Sequence, residues 1–401
     1  MAATTRLYLD DPLLLGFDAS VATLATWHGR PSVVLDRTAF YPEAGGQSAD
    51  RGTLHGAPVS DVQVDGDGVI HHLLEGPAPS PGDVVRGEVD RAHRRLNMSL
   101  HTGQHVLSAA LAREARAPTV SSRLGETMCT IDVDRDPLPE RDLARAEDLA
   151  NGVLEDDLPV RAFFPPPEEL ARLPLRRQPQ VDKDVRVVAV GDFDFSPCGG
   201  THCTRTAQVG LVKVVGVERY KGKTRVSFLA GRLAREELAR RSDALAAVGL
   251  ALTCGPLEVP GAVDKLRRDA TETLEALKGA RVQLAQGTAE GLLARALGSG
   301  RGIPRVVAVL SDGGVEVMRA VAKRLGPHPG VEVFLATPTS DGQGLSVLVT
   351  RGPGAALDCG AFLKRAALAC GGKGGGGPER AEGRVPPGTD WAALVTAHAG
   401  P

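Results

Sequence analysis

The chain has 401 residues, a formal net charge of −2 and only 3% aromatic residues. That length can bury a large core and corresponds to two or three domains. A near-neutral charge excludes a global basic field, and scarce aromatics argue against an aromatic platform for stacking bases, so any RNA contact must come from local clusters. The cysteines Cys129, Cys198, Cys203, Cys254, Cys359 and Cys370 make no CxxC pair and no compact framework, which points to a reducing, cytoplasmic setting. The apolar run Leu13–Leu15 follows Asp10 and Asp11 and lacks a basic flank. We therefore expect no signal peptide, no transmembrane span and no membrane partner.

Residues 1–89 read as short strands, Val21–Trp27, Ser32–Asp36, Thr53–Leu54, Val59–Val64 and Val69–Leu74, broken by glycine- and proline-containing turns. Such a series predicts a small β-barrel. Within it lies FYPEAGGQSADRG, Phe40–Gly52. Composition alone allows a surface turn. Gly45 and Gly46 also permit close backbone approach to a ligand, and Gln47 offers an amide. Glu43 is a general-base candidate on chemistry alone.

The stretch Asp90–Arg113 carries Leu96, Leu100, Val106, Leu107, Ala110 and Leu111 at helical spacing, with Asp90 as a natural N-cap. Beside that stripe, His101 and His105 sit one turn apart on one face, half of a zinc site. Gln104 lies next to the second histidine. Strand, helix and strand patterns follow at Val120–Asp134, Leu138–Leu158, Val160–Phe164 and Val185–Val190. They lead into SPCGGTHC, Ser196–Cys203. There Gly199 and Gly200 allow a tight turn that brings Cys198 and His202 to one point. Sulfur with nitrogen favours zinc, one ion per chain, held by His101, His105, Cys198 and His202. Cys129 and Cys203 read as small buried hydrophobes. Val209–Glu218 and Thr224–Leu229 form a hairpin with a basic tip.

Residues 231–300 show two helical patterns interrupted by CGPLEVPGA, read as an antiparallel helical spacer. From Arg301 the order strand, helix, strand, strand, helix predicts a separate α/β module. Its GGKGGGGPERAEG, Gly371–Gly383, is a linker by composition, or a loop in which Lys373 and Arg380 meet phosphates.

HTGQH followed about a hundred residues later by CGGTH, with the two glycine-rich stretches in the same order, resembles the AlaX-type alanyl-tRNA editing proteins. These are the free-standing relatives of the editing domain of alanyl-tRNA synthetases. The match is to the long form, with a C-terminal DHH-associated domain. The resemblance implies an α+β chain: a glycine-rich β-barrel at 1–89, a zinc-binding editing domain at 90–230, a helical spacer at 231–300 and a DHH-associated tRNA-binding domain at 301–401. It implies a trans-editing hydrolase that deacylates tRNA(Ala) mischarged with serine, or with glycine. In that frame Thr38 reads the serine hydroxyl, Gly45 and Gly46 line the substrate pocket, and Gln47 serves catalysis. Gln104, where synthetase domains commonly have threonine, orients water or substrate. Lys373 and Arg380 contact tRNA, and the C-terminal region offers a homodimer contact. Two rivals stand beside this reading: a zinc-stabilised tRNA binder without catalysis, and a hydrolase of another aminoacyl ester. The glutamate of an HExxH metallopeptidase is absent between His101 and His105, which counts against a peptidase.

Overall fold

A computed structural model describes residues 3–179, 181, 183–298 and 302–399. It is a mixed α+β molecule that divides into two compact units, residues 1–247 and 248–401. Among the described residues no single helix is long and apolar enough to cross a membrane.

In the first unit β1 (Thr5–Arg6) pairs in parallel with β4 (Arg37–Thr38). The strands β2 (Gly16–Trp27), β3 (Arg30–Leu35), β5 (Gly52–Leu54), β6 (Ala57–Val64), β7 (Ile70–Leu74) and β8 (Val84–Val89) close on one another in the order β2-β3-β7-β6-β5-β8. Strand β2 begins five residues before the expected Val21 because it serves two neighbours. Its first half pairs with β8 (Gly16↔Glu88) and its second half with β3 (Val21↔Leu35). Phe17, Val33, Leu35, Phe40, Leu54 and Ile70 fill the interior.

Helix α1 (Arg91–Glu114) follows, and the Asp90 carboxylate accepts from the amides of Ala92 and His93 as a cap should. It is buried on nearly every side from Leu96 to Leu111, so its histidines are not on a solvated rim. Gly103 makes that depth possible, since a Cβ there would stand 2.8 Å from the Ala230 methyl. Next come β9 (Thr119–Arg123), β10 (Cys129–Val133), α2 (Glu140–Glu155), β11 (Val160–Phe163), α3 (Pro167–Leu170), β12 (Val187–Val190), β13 (Asp194–Pro197), β14 (Val212–Tyr220) and β15 (Lys223–Ala230). They make an antiparallel sheet, β14-β15-β10-β9, and a three-stranded meander, β11-β12-β13. One apolar core, including Leu100, Leu107, Ile131, Ala150, Val188 and Phe228, joins α1 and α2 to both.

Helices α4 (Gly231–Ala251) and α5 (Val259–Gly298) occupy the expected spacer. The break between units falls inside it, at 247/248, so the helical stretch is not a body of its own. Helix α5 instead contributes Ala285, Ala289 and Leu292 to a core with α6 (Gly314–Leu325). The expected boundary at 300/301 lies outside the described residues. The second unit also contains β16 (Arg305–Val309), β17 (Glu332–Pro338), β18 (Leu345–Arg351), α7 (Cys359–Ala369), β19 (Lys373–Gly376), β20 (Arg380–Val385) and α8 (Trp391–His398), its sheet running β16-β17-β18-β20-β19.

The glycine-rich stretch is neither linker nor open loop where it was expected to be one: Lys373–Gly376 is an edge strand paired with Arg380–Val385. Gly372, Gly374, Gly376 and Gly383 sit where a side chain would clash. A Cβ on Gly374 would lie 2.8 Å from Leu363, and one on Gly360 of α7 would lie 2.4 Å from the Gly376 carbonyl oxygen. Helix α7 can therefore press directly on the sheet edge.

Candidate metal centre

His101 and His105 project from α1 and meet Cys198 and His202 from the turn after β13, with all four ligand atoms within 4.8 Å of one another. Cys198 Sγ lies 3.3 Å from both His101 Nε2 and His202 Nε2. Zinc–sulfur and zinc–nitrogen bonds of about 2.3 and 2.0 Å meeting at tetrahedral angles separate S and N by about 3.5 Å, so this spacing fits zinc.

The other nitrogen of each histidine has its own neighbour. His101 Nδ1 is 2.8 Å from Gln47 Oε1, His202 Nδ1 is 3.2 Å from Thr102 Oγ1, and His105 Nδ1 is 3.5 Å from Asp194 Oδ2. Read as a network, each Nδ1 carries the proton and each Nε2 presents its lone pair inward, the tautomer a metal requires. The two motifs brace each other through their middle residues. Thr102 of HTGQH accepts from the Cys203 amide, and Thr201 of CGGTH bonds both ends of the Gln47 amide. Asp194 is held by Arg176 at 2.7 Å and Ser196 at 2.9 Å.

Electrostatics agree. Burial alone would raise the Cys198 pKa, but the three imidazoles bring it well below the ordinary thiol value. Burial, and then neighbouring His101, push His202 down to about 3. Burial would raise Asp194, yet His105 at 3.5 Å and the Arg176 charge hold it at about 2. Burial would likewise lower His105, while Cys198 and Asp194 raise it. A thiolate beside a neutral His202 is the protonation state that zinc binding demands.

A cavity of about 380 Å³ opens onto this centre, with Tyr41, Gly45, His101, Arg186, Cys198 and Gly200 among its walls. Cys198 is the only partly exposed member of the ligand set, so the thiolate side faces the cavity.

The expected site residues divide. Gly45 lines the cavity with a left-handed backbone (φ 59°) and open space beside it, whereas Gly46 (φ 83°) is pressed against the Ser122 carbonyl. Gln47 is buried and positions His101. Gln104 is not on the cavity wall. Its amide donates to Ser108, which also accepts from Thr119 and so ties α1 to β9. Glu43 is exposed and accepts from Gln63. Cys129 and Cys203 are buried and outside the ligand set, and burial raises both thiols. Lys373 and Arg380 do not form one cluster. Lys373 pairs across the hairpin with Arg384, while Arg380 is ion-paired to Glu382. Asp194, Arg176, Arg186, Thr102 and Thr201 escaped sequence reading. Only the two threonines had a signal, their place inside the paired motifs.

Thr38 is wholly buried and absent from the cavity wall. It accepts from the Phe40 amide at 3.1 Å and donates to His72 Nε2 at 2.8 Å, while His72 Nδ1 donates to the Val33 carbonyl. Burial lowers His72 to about 4, so the ring is neutral and can accept. Thr38→Val should therefore destabilise the fold, by on the order of 1–3 kcal/mol for each buried partner left unpaired. Denaturant unfolding checks this, and an unchanged midpoint would show the network to be unimportant.

Comparison with known proteins finds matches over the barrel and over the CGGTH half of the site. Residues 17–93 match the family model for tRNA synthetases class II (A), and residues 185–227 match that for the threonyl and alanyl tRNA synthetase second additional domain. The alanyl-tRNA editing protein AlaX-L of Pyrococcus horikoshii is 36% identical over 235 residues, 56% of this chain and 58% of that protein. The alanine–tRNA ligase of Archaeoglobus fulgidus is 30% identical over 394 residues, 96% of this chain and 42% of the ligase. That of Caldivirga maquilingensis is 34% identical over 282 residues, 66% of this chain and 31% of the ligase. The chain thus spans less than two thirds of the length of these relatives. Residues 185–227, which hold the CGGTH motif, are thus similar to the second additional domain of threonyl and alanyl tRNA synthetases. Over those 235 residues the chain is a homologue of the alanyl-tRNA editing protein AlaX-L.

Proposed function

We propose that the chain is a cytoplasmic zinc-dependent deacylase that hydrolyses the ester of tRNA(Ala) mischarged with serine. The observation that carries this reading is the cavity opening onto the thiolate side of a buried three-histidine, one-cysteine centre. A cavity of that size suits an aminoacyl group and its terminal nucleoside. When bound, zinc supplies Lewis-acid chemistry, polarising a carbonyl and lowering the pKa of water.

The protein's own part is positional. Gln47, Asp194 and Thr102 fix the three imidazoles, and Gly45 gives the ester close access to backbone. Selectivity for serine over alanine needs a polar partner that alanine would leave unpaired. The Thr38 hydroxyl is already engaged and lies off the cavity wall, so this partner is sought elsewhere on the lining. We further propose that the second unit grips the tRNA body through Lys373, which is exposed on the edge strand β19.

The test is deacylation of a panel of mischarged tRNAs at two ionic strengths. Seryl-tRNA(Ala) should be cleaved fastest, glycyl more slowly and alanyl least. Lys373→Ala should raise KM and flatten its salt dependence, since one fewer phosphate is neutralised. Retained tRNA binding without cleavage of any ester would favour the non-catalytic binder instead.

A further inference from the structure

Arg186 is over nine-tenths buried on the cavity wall, 7% exposed, yet its guanidinium is only partly satisfied. Nη1 donates to the carbonyls of Cys198 and Gly200 at 3.1 and 2.8 Å, and Nη2 reaches the Leu9 carbonyl at 3.5 Å. Nε is buried without a partner. A buried cationic donor left open is costly and needs a reason. On the same wall the Tyr8 hydroxyl, on a side chain 1% exposed, has no hydrogen-bond partner among the described residues. Arg6 and Arg177 also line the cavity, against one carboxylate among the described residues, Asp184.

We propose that Arg186, with Tyr8, forms a phosphate-binding subsite for the 5′-phosphate of the terminal nucleotide. The inference rests on the deacylase reading and deepens it. In an aminoacyl ester the amino acid's carboxyl is neutral and its ammonium is repelled by arginine. The nearest anion is therefore the phosphodiester one nucleoside away. A guanidinium and a phenol supply the fixed donors such a group takes. Because Nη1 of the same side chain holds the Cys198–Gly200 turn, phosphate binding and placement of the ligand loop share one residue. The apolar Pro42, Val64 and Phe164 leave room for the nucleoside itself.

Calorimetric titration of zinc-loaded full-length protein with AMP and with adenosine tests this directly. Wild type should bind AMP about tenfold or more tighter, the scale of one charge-assisted hydrogen bond. Arg186→Lys should cut that ratio to about threefold or less while zinc stays at one per chain. If the substitution also releases zinc, Tyr8→Phe decides, because it deletes only a hydroxyl and should narrow the ratio by itself. Equal binding of AMP and adenosine by wild type overturns the subsite, as does a ratio unchanged in Tyr8→Phe and Arg186→Lys. Arg186-dependent binding of free serine without any AMP preference would assign the arginine to a carboxylate and overturn it too. A protein that prefers AMP yet cleaves no aminoacyl-tRNA keeps the subsite and loses the deacylase. One that cleaves but shows no AMP preference does the reverse.

Discussion

Cys198→Ala is expected to empty the metal centre and to slow deacylation of seryl-tRNA(Ala) by about a hundredfold or more. A metal's stabilisation of transition-state charge amounts to several kcal/mol, and each 1.4 kcal/mol is about a factor of ten. The substitution removes the single anionic donor and leaves three imidazoles facing one point. His101, His105 and His202 then hold no charge to offset that of a divalent ion. Chelation of the wild type should produce the same loss, and added zinc should reverse it only in the wild type. Elemental analysis and single-turnover deacylation are the measurements. A variant that keeps full zinc and full rate would remove the metal from the mechanism, and zinc loss with unchanged rate would leave it a staple.

The second large effect comes from a residue with no side chain. A Cβ on Gly200 would stand 2.2 Å from His101 Cε1, 2.4 Å from its Nδ1 and 2.9 Å from Gln47 Oε1. Carbon atoms do not approach so closely, so Gly200→Ala must push His101 off Gln47 or open the turn. Disturbing a group that orients a ligand typically costs 10- to 100-fold in metal affinity, and the displacement here reaches the ligand itself. We expect zinc affinity to fall by about a hundredfold or more. The adjacent Gly199 is the control, since nothing lies within 4 Å of its Cβ position. Competition with a chromogenic chelator should find Gly199→Ala near wild type and Gly200→Ala far weaker. Equal affinities in the two variants would mean that the turn yields without disturbing His101.

Much of the site was readable without coordinates. The four candidate ligands stand in the sequence as two i, i+4 pairs, and the structure brings them together; the FYPEAGGQ turn reaches the cavity through Tyr41 and Gly45, with the buried Gln47 behind His101. Roles were harder than places. Gln47 was expected in catalysis, and its amide oxygen contacts His101 Nδ1. Gln104 was expected near substrate and instead ties two elements together. Thr38 was expected to meet serine and is consumed by His72 and Phe40.

What the sequence determined by itself is what lies within one turn of chain. A 3.6-residue period puts His101 above His105, a carboxylate at Asp90 finds the first amides of its own helix, and alternation marks the barrel strands. Tertiary structure alone decided everything that depends on partners far along the chain. Gln47 meets His101 across 54 residues and Thr201 across 154, and Thr102 meets His202 across 100. No local rule fixes which histidine nitrogen faces the metal, because that follows from which acceptor packing delivers to the other one. The same holds for the glycines of β19. Their composition signals freedom, and only the packing of Leu363 of α7 on Gly374 and of Ala381 on Gly376 shows that nothing larger fits at those two positions.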